Sequence, residues 1–411
     1  MNVALYVARK MRRNKQYNDT VSSRIIKIAS VAVSIGIAAI LIAMAFSKGL
    51  QNEIRNKTSV FNGQVLIAPF ENNESQVSLT PFLDTEQLRQ QIKKHPNFER
   101  MHSVATKAGM FKTQEEFEGV LLKGVENTFD WSRLEEFLTQ GNFPKFGEAV
   151  SNEVFISETV ANRLSLKVGD TVDAFFQSPQ GDGLPKRRKF KISGLYFSGF
   201  PDIDQNLVFA DLRQVQRLNQ WKVNEIGAYE VFVTKFQKVP QIADELYQGL
   251  PSELNSSAIS ERFSSIFQWI SLFDFNVLII LIIMILVGVI NMATALLVLI
   301  LERSRMVGLL KTLGASHSMI QKIFMYNGIA IMSQGLFFGN LIGFIFYFSQ
   351  KQWGWITLDP ETYFVSIAPV SLAWFEVIYL NLLFLALATL LLWLPSKIVL
   401  RISPSQVLRF R

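Results

Sequence analysis

The chain has 411 residues, no cysteine and a formal net charge of +7, and 49% of its residues are hydrophobic. Only 18% are charged, below the roughly one quarter that is usual for soluble proteins, which argues against a wholly soluble protein. The lack of cysteine excludes disulfides, thiolate nucleophiles and cysteine-based zinc or iron–sulfur sites. The 34 phenylalanines and many aliphatic residues exclude a disordered chain.

Four apolar runs without a charge predict transmembrane helices, because about 20 apolar residues cross a hydrocarbon core of about 30 Å. They cover residues 28–46, 275–301, 323–348 and 377–394. The first run follows a basic leader and contains Ala43-Met44-Ala45, a possible cleavage site, so a signal peptide is the alternative. Its long apolar core favours a retained helix.

The distribution of charge predicts the orientation. Residues 1–24, loop 302–322 and the tail after Pro395 carry net charges of +5, +3 and +4. The large segment 48–274 and loop 349–376 carry −4 and −2. The positive-inside rule therefore places both termini and loop 302–322 in the cytoplasm, and the large segment outside. The basic residues flank the spans instead of forming one patch, which argues against nucleic-acid binding.

The predicted fold class is a membrane protein with four transmembrane α-helices, one plus three, and a large mixed α/β periplasmic domain between the first and second. The predicted segments follow in chain order: a cytoplasmic amphipathic leader (1–24), the first span (25–47), the periplasmic domain (48–274), the second span (275–301), a cytoplasmic loop with a coupling helix (302–322), the third span (323–348), a periplasmic loop (349–376), the fourth span (377–395) and a cytoplasmic tail (396–411). The leader fits either a helix on the inner membrane surface or a plain topogenic charge cluster.

Local patterns in the large segment predict strands and helices. The predicted strands are 61–69, 171–177, 189–197 and 228–236, and the predicted helices are 85–95 and 239–250. The strand–helix pairs at the two ends suggest that both ends of the segment join one α/β unit. The intervening SPQGDGLPKRR (178–188) is rich in turn residues and predicts a protruding hairpin, with an ordinary solvated loop as the alternative.

Loop 302–322 is too amphipathic to be a simple connection. Met306, Leu309, Leu310 and Leu313 recur at helical spacing. Gly314 is placed to end this helix and Ser316 to cap the next one. Such a helix can dock into a groove of a cytosolic partner, or it can simply lie at the membrane surface.

Searches for catalytic motifs find none. The chain has no phosphate-binding loop and no H-E-x-x-H motif, and its three histidines are isolated in sequence, so we expect a chain that is not an enzyme and holds no metal. Gly288, Gly335, Gly339 and Gly343 lie in the spans, where small residues permit close helix packing.

These features resemble the FtsX/MacB-type ABC transporter permeases, and among them most closely the lipoprotein-releasing permeases LolC and LolE. The stretch ILERSRMVGLLKTLGAS is similar to the cytoplasmic coupling segment of that family. The leader LYVARKMRR, the stretch FSKGLQNEIRNKTSVFNGQVLI, the segment LSLKVGDTVDAFF and the terminal ISPSQVLR fit the same pattern. The hairpin 178–188 has its own sequence.

The resemblance implies a non-catalytic subunit of a bacterial inner-membrane complex that extracts lipoproteins and passes them to a periplasmic carrier. It implies a LolD-like ATPase that binds ATP and Mg, a second permease copy or a related subunit, a LolA-like carrier, lipoprotein substrates and membrane lipids as partners. Both the LolC-like and the LolE-like role stay open. An FtsX-like mechanotransmitter and a MacB-like efflux permease are the alternatives, although the large outer segment and the lack of a fused ATPase count against them.

Three sets of site residues are predicted. The ATPase-coupling set comprises Glu302, Arg303, Arg305, Met306, Gly308, Leu309, Lys311, Leu313, Gly314 and Ala315. By position, the carrier-binding hairpin comprises Pro179, Gly181, Leu184, Pro185, Arg187 and Arg188. An apolar path for lipoprotein is predicted along Met44, Phe46, Leu50, Phe263, Phe267, Trp269, Phe273 and Phe275, with ordinary packing as the alternative.

Overall fold

The computed structural model describes residues 3–13, 21–72, 76–178 and 184–396. The helices are α1 (Val3–Arg13), α2 (Val21–Asn62), α3 (Glu86–Lys93), α4 (Glu158–Arg163), α5 (Pro201–Asp204), α6 (Leu212–Asn219), α7 (Val239–Tyr247), α8 (Ile259–Arg262), α9 (Ser264–Glu302), α10 (Ser304–Thr312), α11 (His317–Trp353), α12 (Pro360–Tyr363) and α13 (Trp374–Ser396). The strands are β1 (Val65–Pro69), β2 (Phe82–Leu83), β3 (Phe98–Lys112), β4 (Phe117–Val125), β5 (Leu138–Gly141), β6 (Glu153–Ser157), β7 (Thr171–Phe176), β8 (Lys186–Tyr196), β9 (Leu207–Asp211), β10 (Glu225–Ile226), β11 (Ala228–Val233) and β12 (Leu254–Ala258).

The chain forms two compact units. A helical unit contains residues 1–52, 270–357 and 367–411, and an α/β unit contains residues 53–269 and 358–366. Within the described residues, four helices are long and apolar enough to cross a membrane: Arg24–Asn62, Ser264–Glu302, His317–Trp353 and Trp374–Trp393. The predicted fold class, four spans with a large α/β domain between the first and second, is confirmed.

Close approach of α2 and α11 holds the helical unit together. A Cβ atom placed on Gly339 would lie 2.7 Å from the carbonyl oxygen of Ser34 and 2.8 Å from Cβ of Ile37. Gly335 and Gly343 make equally close contacts with α2. The prediction that these glycines permit close helix packing is confirmed, because any side chain there would collide with the neighbouring helix.

Polar contacts at one end of the spans tie α2 to two other helices. Gln51 Nε2 donates to Asp274 Oδ1 of α9 at 2.9 Å. Lys48 Nζ lies 3.3 Å from Glu376 Oε1 of α13. Deeper in the unit, the amides of Asn340 and Asn381 exchange hydrogen bonds of 2.7 and 2.9 Å. These polar contacts thus pair α2 with α9 and α13, and α11 with α13.

The α/β unit is built on a ten-stranded sheet in the order β12-β1-β11-β3-β4-β9-β6-β8-β5, with β7 paired to β3 and β8. β1 and β11 pair antiparallel with Val65 opposite Val231. The prediction that the two ends of this segment join one unit is therefore confirmed. The predicted helices 85–95 and 239–250 correspond to α3 and α7, and the predicted strands 171–177 and 189–197 correspond to β7 and β8.

The predicted strand 61–69 is wrong over its first residues. α2 continues to Asn62, and Gly63 ends it with a φ of +70° while its amide donates to Ser59 O at 2.8 Å. The apolar run ends near Phe46, but the helix continues to Asn62. Hydropathy measures the free energy of transfer into lipid and does not determine where a helical backbone ends. Phe61 instead packs in an aromatic cluster, with ring centroids 5.2 Å from Phe137 and 5.4 Å from Tyr196.

The segment 358–366, between α11 and α13, belongs to the α/β unit. The Phe364 ring stacks on Phe200 with centroids 4.2 Å apart and planes 17° apart. Lys57 Nζ donates to the Phe364 carbonyl at 3.3 Å. Phe364 has a φ of +60°, an uncommon conformation for a bulky residue, which these contacts hold in place.

Candidate functional sites

The predicted coupling segment is a short helix between two spans. α9 ends at Glu302, α10 follows from Ser304 to Thr312, and Gly314 adopts a φ of +85°. Ser316 caps α11, since its hydroxyl accepts a hydrogen bond from the Met319 amide at 3.3 Å. Both predicted caps are confirmed, and together they turn the chain between the end of α10 and the start of α11.

The structure divides the predicted apolar positions of α10 between two faces. Val307 is fully buried in the core of the helical unit, Gly308 is buried beside it, and Leu310 packs against that core. Leu309 and Leu313 are 54% and 82% exposed. One face of α10 therefore anchors the segment, and the other is available to a partner.

The remaining coupling residues follow the same division. Glu302 and Arg305 are exposed beside Leu309 and Leu313, whereas Ala315 is half-buried and packs against the helical core. Arg303, Met306 and Lys311 are half-buried, and Gly314 is exposed. Arg305, Leu309 and Leu313 are spaced four residues apart, so one exposed stripe carries a charged side chain followed by two aliphatic ones, a composition suited to docking a protein.

The predicted hairpin is formed by β7 and β8, with Phe176 opposite Lys186. At its described end, Leu184 is 92% exposed and Pro185 is exposed. Pro179 and Gly181 lie outside the described residues. At this end of the hairpin an apolar side chain is therefore exposed to solvent.

Arg187 and Arg188 occupy different surroundings on β8. Arg187 donates from Nε to Asp173 Oδ1 at 3.1 Å and from Nη2 to Oδ2 at 2.7 Å. This guanidinium holds the pKa of the Asp173 carboxyl below its usual value. Arg188 is half-buried and lies opposite Ala174 in the sheet.

The predicted lipoprotein-path residues fall in both units. In the α/β unit, Phe263 and Phe267 pack against the core, and the Phe267 ring stacks on Phe236 with centroids 6.3 Å apart. Trp269 meets Phe364 edge-on at 5.8 Å. Phe263, Phe267 and Trp269 therefore all make packing contacts within the α/β unit.

The other five predicted path residues lie in the helical unit, and their side chains differ in solvent exposure. Leu50 is fully buried, whereas Phe275 is 59% exposed. Met44, Phe46 and Phe273 are half-buried. Of these five residues, Phe275 offers the largest fraction of its side chain to a bound molecule.

A buried ion pair that the sequence interpretation missed lies at the end of α2. Lys123 Nζ donates to Glu230 Oε1 and Oε2 at 2.6 and 2.8 Å and to the Phe61 carbonyl at 2.7 Å. The Lys123 and Glu230 side chains are 3% and 5% exposed. The available signal was a single charge inside each of two apolar strands, VLLKGV and AYEVFV.

The pair connects the sheet to the helix that runs on into the first span. Burial lowers the pKa of the Lys123 ammonium, and the adjacent Glu230 carboxylate acts in the opposite direction. Arg262 Nη1 donates to the next carbonyl, Asn62 O, at 3.3 Å. Two cationic side chains thus satisfy the last carbonyls of α2, where the helix dipole is negative.

Within the described ranges, no three His, Cys, Asp or Glu side chains converge on a point that could hold a metal ion.

Comparisons with known proteins agree with this architecture. Residues 28–246 match the MacB-like periplasmic core domain family, and residues 278–404 match the FtsX-like permease C-terminal family. The chain is 20% identical to the lipoprotein-releasing system transmembrane protein LolE of Haemophilus influenzae, over 99% of both chains. It is 23% identical to LolC of Neisseria meningitidis serogroup B, over 97% of both chains.

Among solved structures, the chain is similar to the periplasmic region of MacB from Actinobacillus actinomycetemcomitans, with 12% identity and a TM-score of 0.34, covering 50% of this chain and 92% of that one. The family of the chain follows from the two family matches. The first covers more than half of the chain and the second covers most of the rest. The chain belongs to the FtsX/MacB-type ABC transporter permeases, and it is a multi-pass membrane protein.

Proposed function

We propose that this chain is the permease subunit of an ATP-driven complex that extracts lipoproteins from the bacterial inner membrane and passes them to a periplasmic carrier. The observation that carries the proposal is similarity to LolE and LolC over almost the entire chain, spans and α/β unit together. Acyl chains cost about 0.8 kcal/mol per CH₂ to expose to water, so release requires an energy source and a protected path.

Depletion of the protein tests this function. We expect outer-membrane lipoproteins to accumulate in the inner membrane, as measured by fractionation of the cell envelope. Normal lipoprotein sorting with a division defect would favour an FtsX-like mechanotransmitter. Normal sorting with a drug-export defect would favour a MacB-like efflux permease, an alternative that the MacB-like core domain match keeps open.

In this proposal, both termini and α10 lie in the cytoplasm and the α/β unit lies in the periplasm. A separate, LolD-like ATPase binds ATP and Mg, and this chain binds neither. A second permease, either another copy or a related subunit, completes the complex, because one chain with one α10 engages one half of a dimeric ATPase. The proposed carrier-binding surface is the hairpin end around Leu184, Pro185 and Arg187, and the carrier is LolA-like.

The exposed stripe of α10 is the proposed ATPase-docking surface. We expect the double variant Leu309→Asp/Leu313→Asp to bind the ATPase subunit at least about tenfold more weakly, because two carboxylates would have to be desolvated in an apolar groove. Co-purification and a titration of the solubilised permease with the ATPase measure the loss.

Leu184→Asp provides a matched control for this double variant. It makes the same chemical change at a leucine that is 92% exposed on the α/β unit. It should leave ATPase binding unchanged. Equal weakening by both variants, or none by either, would contradict the assignment of the stripe.

Phe275 is the path residue best placed to meet substrate. With a photoreactive phenylalanine analogue at position 275, we expect a crosslink to lipoprotein in the intact complex. Phe337 on α11 is the control, because the two rings are similarly exposed, at 59% and 66%, and both lie on span helices. Crosslinking that is equal at both positions, or stronger at Phe337, would reject the path.

A further inference from the structure

We propose that α1 binds anionic phospholipid headgroups and, through its packing, holds α10 in position. The proposal rests on the proposed function for its topology, which places α1 beside the cytoplasmic leaflet. It adds a ligand class, the anionic headgroup, and a positioning role for a helix that the proposed transport reaction does not otherwise use.

One face of α1 is fixed to the spans. Ala4 and Ala8, one turn apart, are 4% and 0% exposed and form a buried cluster with Ile323 of α11. Their small side chains let the two helices approach closely. Leu310 of α10 packs against the same cluster. Leu310 also packs against the core of the helical unit. A shift of α1 would therefore displace Leu310 and, with it, α10.

The opposite face of α1 carries exposed apolar side chains followed by exposed basic ones. Val3, Leu5 and Tyr6 are 51%, 48% and 50% exposed. Arg9 and Lys10, about one turn further along the helix, are also exposed, and Lys10 Nζ lies 5.9 Å from the centroid of the Tyr6 ring. At 100° per residue, all five residues fall on one arc, away from Ala4 and Ala8.

Charge and position favour lipid as the occupant of this face. VALYVARKMRR contains four basic residues and no acidic one, and among the described residues no carboxylate forms an ion pair with Arg9 or Lys10. Ile323 lies less than two turns from the start of α11, so α1 packs near the end of a candidate span. At that depth the aliphatic side chains can enter the acyl boundary while the two cations reach the phosphates.

Photolabelling tests the binding. The permease–ATPase complex would be reconstituted in phosphatidylethanolamine liposomes that contain a photoactivatable phosphatidylglycerol, and labelled peptides would be identified by mass spectrometry. We expect labelling of α1 to fall at least about tenfold in Arg9→Glu/Lys10→Glu, because each basic side chain near an anionic surface contributes several-fold to binding. Lys93→Glu/Lys94→Glu, at exposed positions of α3 and its C-terminal cap, is a charge-matched control and should label like wild type.

The second readout is ATPase activity with and without unlabelled phosphatidylglycerol. Wild type should be stimulated by this lipid, and Arg9→Glu/Lys10→Glu should not be. Equal labelling of α1 in wild type and variant, or a crosslink from α1 to the ATPase in place of lipid, would overturn the proposal. Arg9→Gln/Lys10→Gln gives the same test if charge reversal prevents assembly. If the wild-type complex releases no lipoprotein, the proposed function is rejected, whereas the labelling result still decides whether α1 binds lipid.

Discussion

Lys123→Ala is expected to destabilise the α/β unit by about 3 to 5 kcal/mol, the cost of leaving one member of a buried ion pair without its partner. Glu230 would remain 4% exposed without the ammonium that donates to its carboxylate, and the Phe61 carbonyl would lose its donor. For a unit of this size, we expect the melting temperature to fall by about 10 °C. Thermal unfolding of the purified protein in detergent measures the change.

The cause can be separated from a simple loss of side-chain packing. Lys123→Met/Glu230→Gln removes both charges and keeps similar volumes, so it should be more stable than Lys123→Ala. Arg187→Ala breaks an exposed pair, with Arg187 64% exposed, and should have no measurable effect. If Lys123→Ala and Arg187→Ala melt at the same temperature, the buried pair does not stabilise the unit.

Lys123→Ala also tests whether the end of α2 transmits motion in the proposed release cycle. α2 is continuous from Val21 to Asn62, and Lys123 and Arg262 bind its last carbonyls. In the proposed release cycle, a motion of the first span would reach the sheet through this helix end. We therefore expect lipoprotein release to fall more than ATP hydrolysis in Lys123→Ala, at a temperature where the variant is folded.

Gly339→Leu is expected to disrupt the helical unit, at a cost of about 3 kcal/mol or more, because overpacking forces the backbones apart. The first added atom would already lie 2.7 Å from a backbone oxygen of α2, which cannot rotate away. The measurable result is loss of the monodisperse peak in size-exclusion chromatography after mild heating.

Two alanine substitutions on the same helix give a matched comparison. Gly339→Ala should destabilise the protein, since its Cβ would collide with Ser34 and Ile37. Gly328→Ala should be neutral or stabilise by up to about 1 kcal/mol, because its Cβ would meet Leu296 at 3.5 Å, an ordinary contact, and alanine favours the helix. Equal melting temperatures for the two variants would mean that close packing of α2 and α11 is not needed for stability.

Features that depend on neighbouring residues were predictable. The caps at Gly314 and Ser316 follow from backbone requirements within one turn, and the structure confirms both. The hairpin of β7 and β8 follows from turn residues between two alternating segments. The length of α2 beyond Phe46 was not predictable, because its polar second half is stabilised by packing and by Lys123, which is distant in sequence.

For the candidate sites, residue types could be chosen from the sequence but exposure could not. Leu309 and Leu310 are adjacent and chemically identical, yet one is exposed and the other packs against the helical core. The outcome depends on how α10 is rotated about its own axis. That rotation is set by contacts with other helices, and the buried side chain of Val307 is one of the residues that make them. Periodicity gives the angle between side chains and leaves the rotation of the whole helix open.

Hydropathy, charge and local turn chemistry in the chain were sufficient to predict the four spans, the large α/β segment and the short helix between the second and third spans, and to give an expected orientation. Each is a sum of local free energies: transfer into lipid, attraction of basic flanks to one side, and capping of a single turn. The meeting of Lys123 with Glu230, the seating of Phe364 on Phe200 and the choice of exposed face on α10 came only from the folded structure. These contacts join residues far apart in the chain, and they depend on strand register and helix rotation, which no local pattern specifies.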